Sequence, residues 1–254
     1  MSADREVLLQ CDSLTRNFGS GKGVENLSIT LRRGDALGLL GLNGAGKSTT
    51  LKLLCGALVP DTGTIKIAGL SLEDHPLAAR ALIGFLPDQP PLYSDMRVDS
   101  YLRFCAKLRR VEKDHIEKQL DYVIDACDLA TVSKTRIAKL SKGFCQRVGV
   151  AQALIHEPNV LLLDEPSNGL DPQQLQAMRE LIAKTASEQS VIFSTHLLAE
   201  AQAVCNRIAV LHDGVLIADM PTTGNAQELD QLFTKLVQSA PTRNSQTIAQ
   251  SEST

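Results

Sequence analysis

A short, almost wholly apolar run at 36–40 leads straight into Gly41-Leu42-Asn43-Gly44-Ala45-Gly46-Lys47-Ser48, and helical spacing follows over 47–54. The spacing GxxxxGK[ST] between a strand and a helix constrains this chain more than any other feature. Glycines let backbone amides turn inward without Cβ clashes and so form an anion nest. The helix N-terminus adds its positive end to that nest. Lys47 brings a point charge for β- and γ-phosphates, and the Ser48 hydroxyl suits Mg²⁺. Gly41, Leu42, Asn43, Gly44, Ala45, Gly46, Lys47, Ser48 and Thr49 are therefore candidate nucleotide-binding residues.

A second apolar run, Val160-Leu161-Leu162-Leu163, ends in Asp164-Glu165. Beside a phosphate loop, a parallel strand ending in Asp can place a carboxylate at the metal. Asp164 is the candidate Mg²⁺ ligand with Ser48, and Glu165, pointing to the other side of the strand end, is the candidate general base. Just upstream, Ser141 suits the N-cap of a helix starting near Lys142, and Gly143 leaves that backbone open, a second potential phosphate-binding helix end.

The remaining pattern is α/β. Strands are predicted at 7–12, 24–31, 64–68, 83–86 and 191–194, and a hairpin at 208–218 around His212-Asp213-Gly214. Residues 90–157 differ in character. Tyr101, Leu102, Cys105 and Leu108, then Ile116, Leu120, Val123 and Ile124, have helical spacing and predict an inserted helical subdomain. A helix is predicted at 173–186 and a last amphipathic one around Leu229, Leu232, Phe233 and Leu236. From 239 to 254, nine of 16 residues are Ser, Thr or Gln, which predicts a disordered tail after a domain spanning 1–238.

Composition narrows the function classes. With 26 Lys plus Arg against 29 Asp plus Glu, the net charge of −3 disfavours a nucleic-acid binder held by bulk charge. Aromatic residues make up 4% and Trp is absent, which disfavours a base-stacking platform for single strands. None of the six cysteines has CxxC spacing, so no zinc ribbon or thioredoxin-like motif is offered, and buried thiols in a reducing compartment are expected. No apolar run is long enough for a signal peptide or a membrane span.

The order of these motifs resembles the nucleotide-binding subunit of an ABC (ATP-binding cassette) transporter. Residues 41–48 resemble its Walker A motif, 160–165 its Walker B motif, and Leu140-Ser141-Lys142-Gly143-Phe144 its LSGGQ signature. Asn168-Gly169-Leu170-Asp171 resembles the D-loop, Ser194-Thr195-His196 the switch histidine, and Phe18 the aromatic that stacks on adenine. The resemblance runs from about 7 to 237. It implies a P-loop fold with a mainly parallel core sheet, an N-terminal antiparallel β subdomain and an inserted α-helical subdomain. It also implies ATP with Mg²⁺ as cofactors and hydrolysis through Glu165 and His196. Ser141 and Gly143 would act on the nucleotide of an opposite copy, with Asp171 nearby. The signature departs from LSGGQ but keeps Ser141 and Gly143. Where the family has the Q-loop glutamine, Pro87 is followed by Asp88 and then Gln89, and either can fill the role. The acidic residue followed by Pro91-Leu92-Tyr93-x-Asp95-Met96 looks most like ABC-2-type ATPases. Those pair with a separate membrane permease and usually export. The implied partners are a second ATPase copy, or a paired ATPase subunit, and permease subunits, with no nucleic acid. The implied place is the cytoplasmic face of the membrane. The rival is a soluble ABC ATPase acting on ribosomes or DNA, which usually carries two cassettes or long coiled-coil insertions.

Overall fold

The computed structural model describes residues 5–19 and 21–222, with positions 231 and 235. The last amphipathic helix expected from the sequence, around Leu229 to Leu236, and the polar tail otherwise lie outside the described residues.

Strands β1 (Val7–Asn17) and β2 (Gly23–Arg32) pair antiparallel. The other edge of β1 takes β4 (Thr62–Ile67), which carries the two-residue β5 (Leu70–Ser71), giving the order β2-β1-β4-β5. Leu27, Ile29 and Leu31 alternate along β2 and are all buried, so one face of this sheet is core. The larger sheet has the order β10-β9-β3-β8-β7-β6. Its strands β3 (Ala36–Leu40), β6 (Ile83–Leu86), β7 (Val160–Asp164), β8 (Ser190–Thr195) and β9 (Arg207–His212) run parallel. β10 (Val215–Pro221) returns antiparallel through the 212–214 turn. The α/β class, the antiparallel N-terminal subdomain and the parallel core all match the sequence reading.

Continuous apolar runs form the parallel strands because both faces are covered. Val160 and Leu162 of β7 join the core shared with the antiparallel sheet and α1 (Lys47–Leu54), while Leu161 and Leu163 join the core under the helices. β8 divides in the same way, with Ile192 on one side and Val191 and Phe193 on the other.

The helical insertion is α3 (Val98–Leu108), α4 (Ile116–Ala126) and α5 (Lys142–Leu154), packed through Tyr101, Leu102, Leu120, Val123 and Leu154. Leu108 leaves the expected apolar stripe: it ends α3 and is exposed. The helix predicted at 173–186 is α6 (Pro172–Glu188), and α7 (Leu198–Val204) follows β8. Helix α2 (Pro76–Ala81) was not expected. It is too short to show a period, and its signal is Pro76 in the first turn, where a missing N–H costs nothing. All six cysteines are free, four of them buried, and burial pushes the Cys11 thiol up to about 12.

Gly84 shows how closely β6 meets α5. A Cβ there would lie 2.3 Å from the Ala153 carbonyl oxygen and 2.9 Å from Leu161 Cδ1. Backbone cannot yield as a side chain does, so Gly84→Val should cost about 2–3 kcal/mol of stability. Urea denaturation checks this, and an unchanged midpoint would contradict the contact.

Candidate nucleotide site

A cavity of about 670 Å³ opens beyond the C-terminal ends of the parallel strands, where α/β sheets bind ligands. It is lined by Phe18, Lys22, Gly23, Asn43, Gly44, Gly46, Lys47, Ser48, Thr49, Asp88, Glu165, Asn168 and His196. Six of the nine loop candidates face it. Gly41, Leu42 and Ala45 do not line it, and the Leu42 side chain is exposed.

The loop turns on Gly46, whose φ of 103° lies in the left-handed region just before α1. A Cβ there would also lie 2.9 Å from Val24 Cγ1, so strand β2 closes the site behind the loop. Lys47 is only 5% exposed. Its Nζ donates to the carbonyls of Gly41 at 2.8 Å and Leu42 at 3.3 Å, and lies 3.0 Å from Glu165 Oε1.

Asp164 is 2% exposed at the end of β7. Its Oδ1 accepts from Ser48 Oγ at 3.0 Å and from Ser194 Oγ at 2.7 Å. Burial pushes its carboxyl above the usual range. The two hydroxyl bonds oppose that shift, and the charges of Glu165 and Asp88 add to it. Glu165 has φ of 47°, uncommon for a residue with a side chain. Its N–H donates to Ser194 Oγ at 2.9 Å, and its Oε2 lies 2.9 Å from His196 Nδ1. One buried hydroxyl thus holds both acidic residues.

Of the two Q-loop candidates, Asp88 lines the cavity and Gln89 does not. Asp88 Oδ1 accepts from Asn168 Nδ2 at 3.3 Å. Ser141, Gly143 and Asp171 lie outside this cavity. Ser141 caps α5 by accepting from Phe144 N at 3.4 Å, and Asp171 caps α6 by accepting from Gln174 N at 2.9 Å. Sequence reasoning did not single out Lys22, Gly23 or Asn168 for the cavity, nor Ser194 as the tie between the acids. The only available signal for Ser194 was a hydroxyl ending the strand next to the acidic one, and the register Asp164↔Ser194 makes that signal meaningful.

Residues 24–168 match the family model described as ABC transporter. This chain belongs to that family. It is 35% identical over 224 residues to the ABC transporter ATP-binding protein YxlF of Bacillus subtilis, covering 88% of this chain and 73% of YxlF. It is 34% identical over 217 residues to the bacitracin transport ATP-binding protein BcrA of Bacillus licheniformis, covering 85% of this chain and 70% of BcrA. A solved ATP-binding subunit of an ABC transporter superposes with a TM-score of 0.79 at 30% identity, covering 90% of this chain and 99% of that one. This ABC ATPase binds and hydrolyses ATP. No helix among the described residues is long and apolar enough to cross a membrane.

Ser194→Ala removes a donor to a buried carboxylate and the acceptor of the Glu165 N–H. The variant should lose about 1.5–3 kcal/mol of stability and about tenfold in turnover, the equivalent of 1.4 kcal/mol in the barrier. Thermal melts and steady-state phosphate release measure the two quantities. Wild-type turnover would show that the acids are aligned by something else.

Proposed function

We propose that this chain powers export by ATP hydrolysis in a two-copy assembly docked on separate membrane permease subunits of the ABC-2 kind. The observation that carries the reading is the convergence of Lys47, Ser48, Asp164, Glu165 and His196 at one mouth of the sheet. The transport function in the name of BcrA supports it. The ribosome- or DNA-directed alternative gains nothing from the relatives.

Lys47 would supply the charge for β- and γ-phosphate oxygens, which compete with Glu165 and two loop carbonyls for its Nζ. Phe18 would stack on the adenine. Glu165 would take a proton from the attacking water. The water oxygen bonds to the γ-phosphorus, and the bond to the bridging oxygen breaks, leaving its electron pair on ADP. His196, whose Nδ1 lies 2.9 Å from Glu165 Oε2, would donate a hydrogen bond to the γ-phosphate. Asp88 would orient the water.

Mg²⁺ fits the donor set: two hard oxygens, Ser48 Oγ and Asp164 Oδ1, stand 3.0 Å apart. No group of three or more His, Cys, Asp or Glu among the described residues forms a closed metal cage. Mg²⁺ commonly takes one carboxylate and completes its shell with phosphate and water. When bound, it would neutralise charge on the phosphates.

Ser141 and Gly143 lie away from this cavity, and their reading is a contact with the γ-phosphate held by an opposite copy, with Asp171 beside it. Glu165→Gln keeps the shape and removes the base. It should bind ATP normally, lose at least a hundredfold in turnover, and form a dimer in Mg·ATP on size-exclusion chromatography. A variant that stays monomeric and hydrolyses at the wild-type rate rejects the assignment.

For the permease, the reading places the docking surface on the 88–101 segment. Leu92 and Met96 pack inward against the helical core, and of these three apolar residues Tyr93 alone stays 54% exposed. Its ring rests against Tyr101 at 6.0 Å and Phe104 at 5.6 Å, so it is presented rigidly. Tyr93→Ala should keep basal ATPase and reduce stimulation by reconstituted permease severalfold. Full stimulation would move the surface elsewhere.

A further inference from the structure

Phe18 is half exposed at the rim of the cavity, where a lone ring would be free to rotate. It is not alone. The Arg16 guanidinium lies 5.2 Å from the ring centroid and covers one face. Arg16 is in turn held from a different strand: its Nη1 lies 2.6 Å from Asp61 Oδ1 in the turn that opens β4. The other oxygen, Asp61 Oδ2, accepts from Asn17 N at 2.7 Å. The Asp61 N–H donates to the Thr15 carbonyl at 2.8 Å. Asp61 therefore grips the end of β1 on both sides of Arg16, one residue short of Phe18.

The far side of the turn is closed equally tightly. Phe18 N donates to the Lys22 carbonyl at 3.1 Å, and Asn17 pairs with Gly23. Gly23 has φ of 125°, and a Cβ there would lie 1.8 Å from the Arg16 carbonyl oxygen, so only glycine lets the two strands approach this closely. Arg16 Nε is buried with no hydrogen-bond partner. The guanidinium is thus oriented by Asp61 and the ring together, and not by a surrounding polar network.

We propose that Asp61 and Arg16 are positioning residues for the nucleobase: they back one face of Phe18 so that the other is presented, pre-ordered, to the base in the cavity. This rests on the reading that Phe18 stacks on adenine. Asp61 touches no nucleotide in this scheme. Its effect passes through Arg16 and the β1 backbone, and it concerns the base and not the phosphates. Ordering a ring before binding removes that entropy cost from the association, and the cation over the ring supplies the attraction that holds it.

The test uses the full chain and two probes, ATP and inorganic tripolyphosphate, which shares the phosphates and lacks the base. Asp61→Ala and Arg16→Ala should each raise the Kd and KM for ATP about three- to fivefold, with kcat within about twofold of wild type. Tripolyphosphate affinity should not change. Asp61→Glu should recover part of the ATP affinity. Phe18→Ala should weaken ATP by more, and adding Asp61→Ala to it should cost nothing further. If Phe18→Ala weakens ATP and Asp61→Ala does not, the positioning role is overturned while stacking stands. If Phe18→Ala leaves ATP affinity intact, the stacking reading itself falls and the proposal with it. Equal losses for ATP and tripolyphosphate in Asp61→Ala would mark a general disturbance of the site and also overturn the role.

Discussion

Asp164 is a carboxylate that the fold buries almost completely, and the site is organised around making that tolerable. An ionised carboxylate in an apolar strand end is costly unless hydrogen bonds satisfy its oxygens. Two hydroxyls donate to Oδ1, one from the helix after the phosphate loop and one from the neighbouring strand. Those donors tie α1, β7 and β8 to one oxygen atom. The Ser194 hydroxyl also accepts the Glu165 N–H, so a single buried group sets both acidic residues. The left-handed backbone of Glu165 follows from this, since the chain must turn sharply after Asp164 to carry the second carboxyl toward His196 and Lys47.

The layering makes such a strand end possible. β7 is apolar on both faces because one packs against the antiparallel sheet side and the other against the helices. A strand enclosed in this way cannot slip by one residue without driving acids into a core. Its register with β8 therefore fixes Asp164 opposite Ser194. The glycine at 84 belongs to the same constraint from the other edge: it lets α5 lie against β6, whose end delivers Asp88 to the cavity.

What could be read from the sequence divides along the same line. The phosphate loop, the acidic strand end and the helical insertion are local patterns, and each was legible. Choices that depend on pairing or packing were not. Asp88 and Gln89 are adjacent at the end of one strand, and only the path after Pro87 puts the first into the cavity. Leu92, Tyr93 and Met96 stand close together in the sequence, yet Leu92 and Met96 pack against the insertion while Tyr93 stays exposed. Ser194 sits unremarkably near the end of β8 until β7 lies beside it. Ser141 and Asp171 show the reverse case. Each is a helix cap within the chain, and capping alone accounts for their local geometry. Any role toward an opposite copy lies in the assembly and not in the fold of one subunit.

The charges at the cavity explain why a divalent cation belongs to the proposed reaction. Asp88 and Glu165 line it beside the buried Asp164, and Lys22 and Lys47 are cations among the lining residues. Lys47 is already engaged with Glu165. At an effective dielectric of about 20, two like charges 4 Å apart repel by about 4 kcal/mol, so a triphosphate entering beside these carboxylates meets a repulsion that Lys22 and Lys47, the latter already paired with Glu165, offset only in part. At Ser48 and Asp164 a hydroxyl of the phosphate-loop helix and a strand-end carboxylate already face each other. A cation held there would offset the carboxylates and the phosphates at once. Lys47 could then leave Glu165 for the phosphate, and the glutamate would be free to take the proton of the attacking water. In the proposed reaction, nucleotide binding and activation of the base would thus become one event, linked through a single ammonium group.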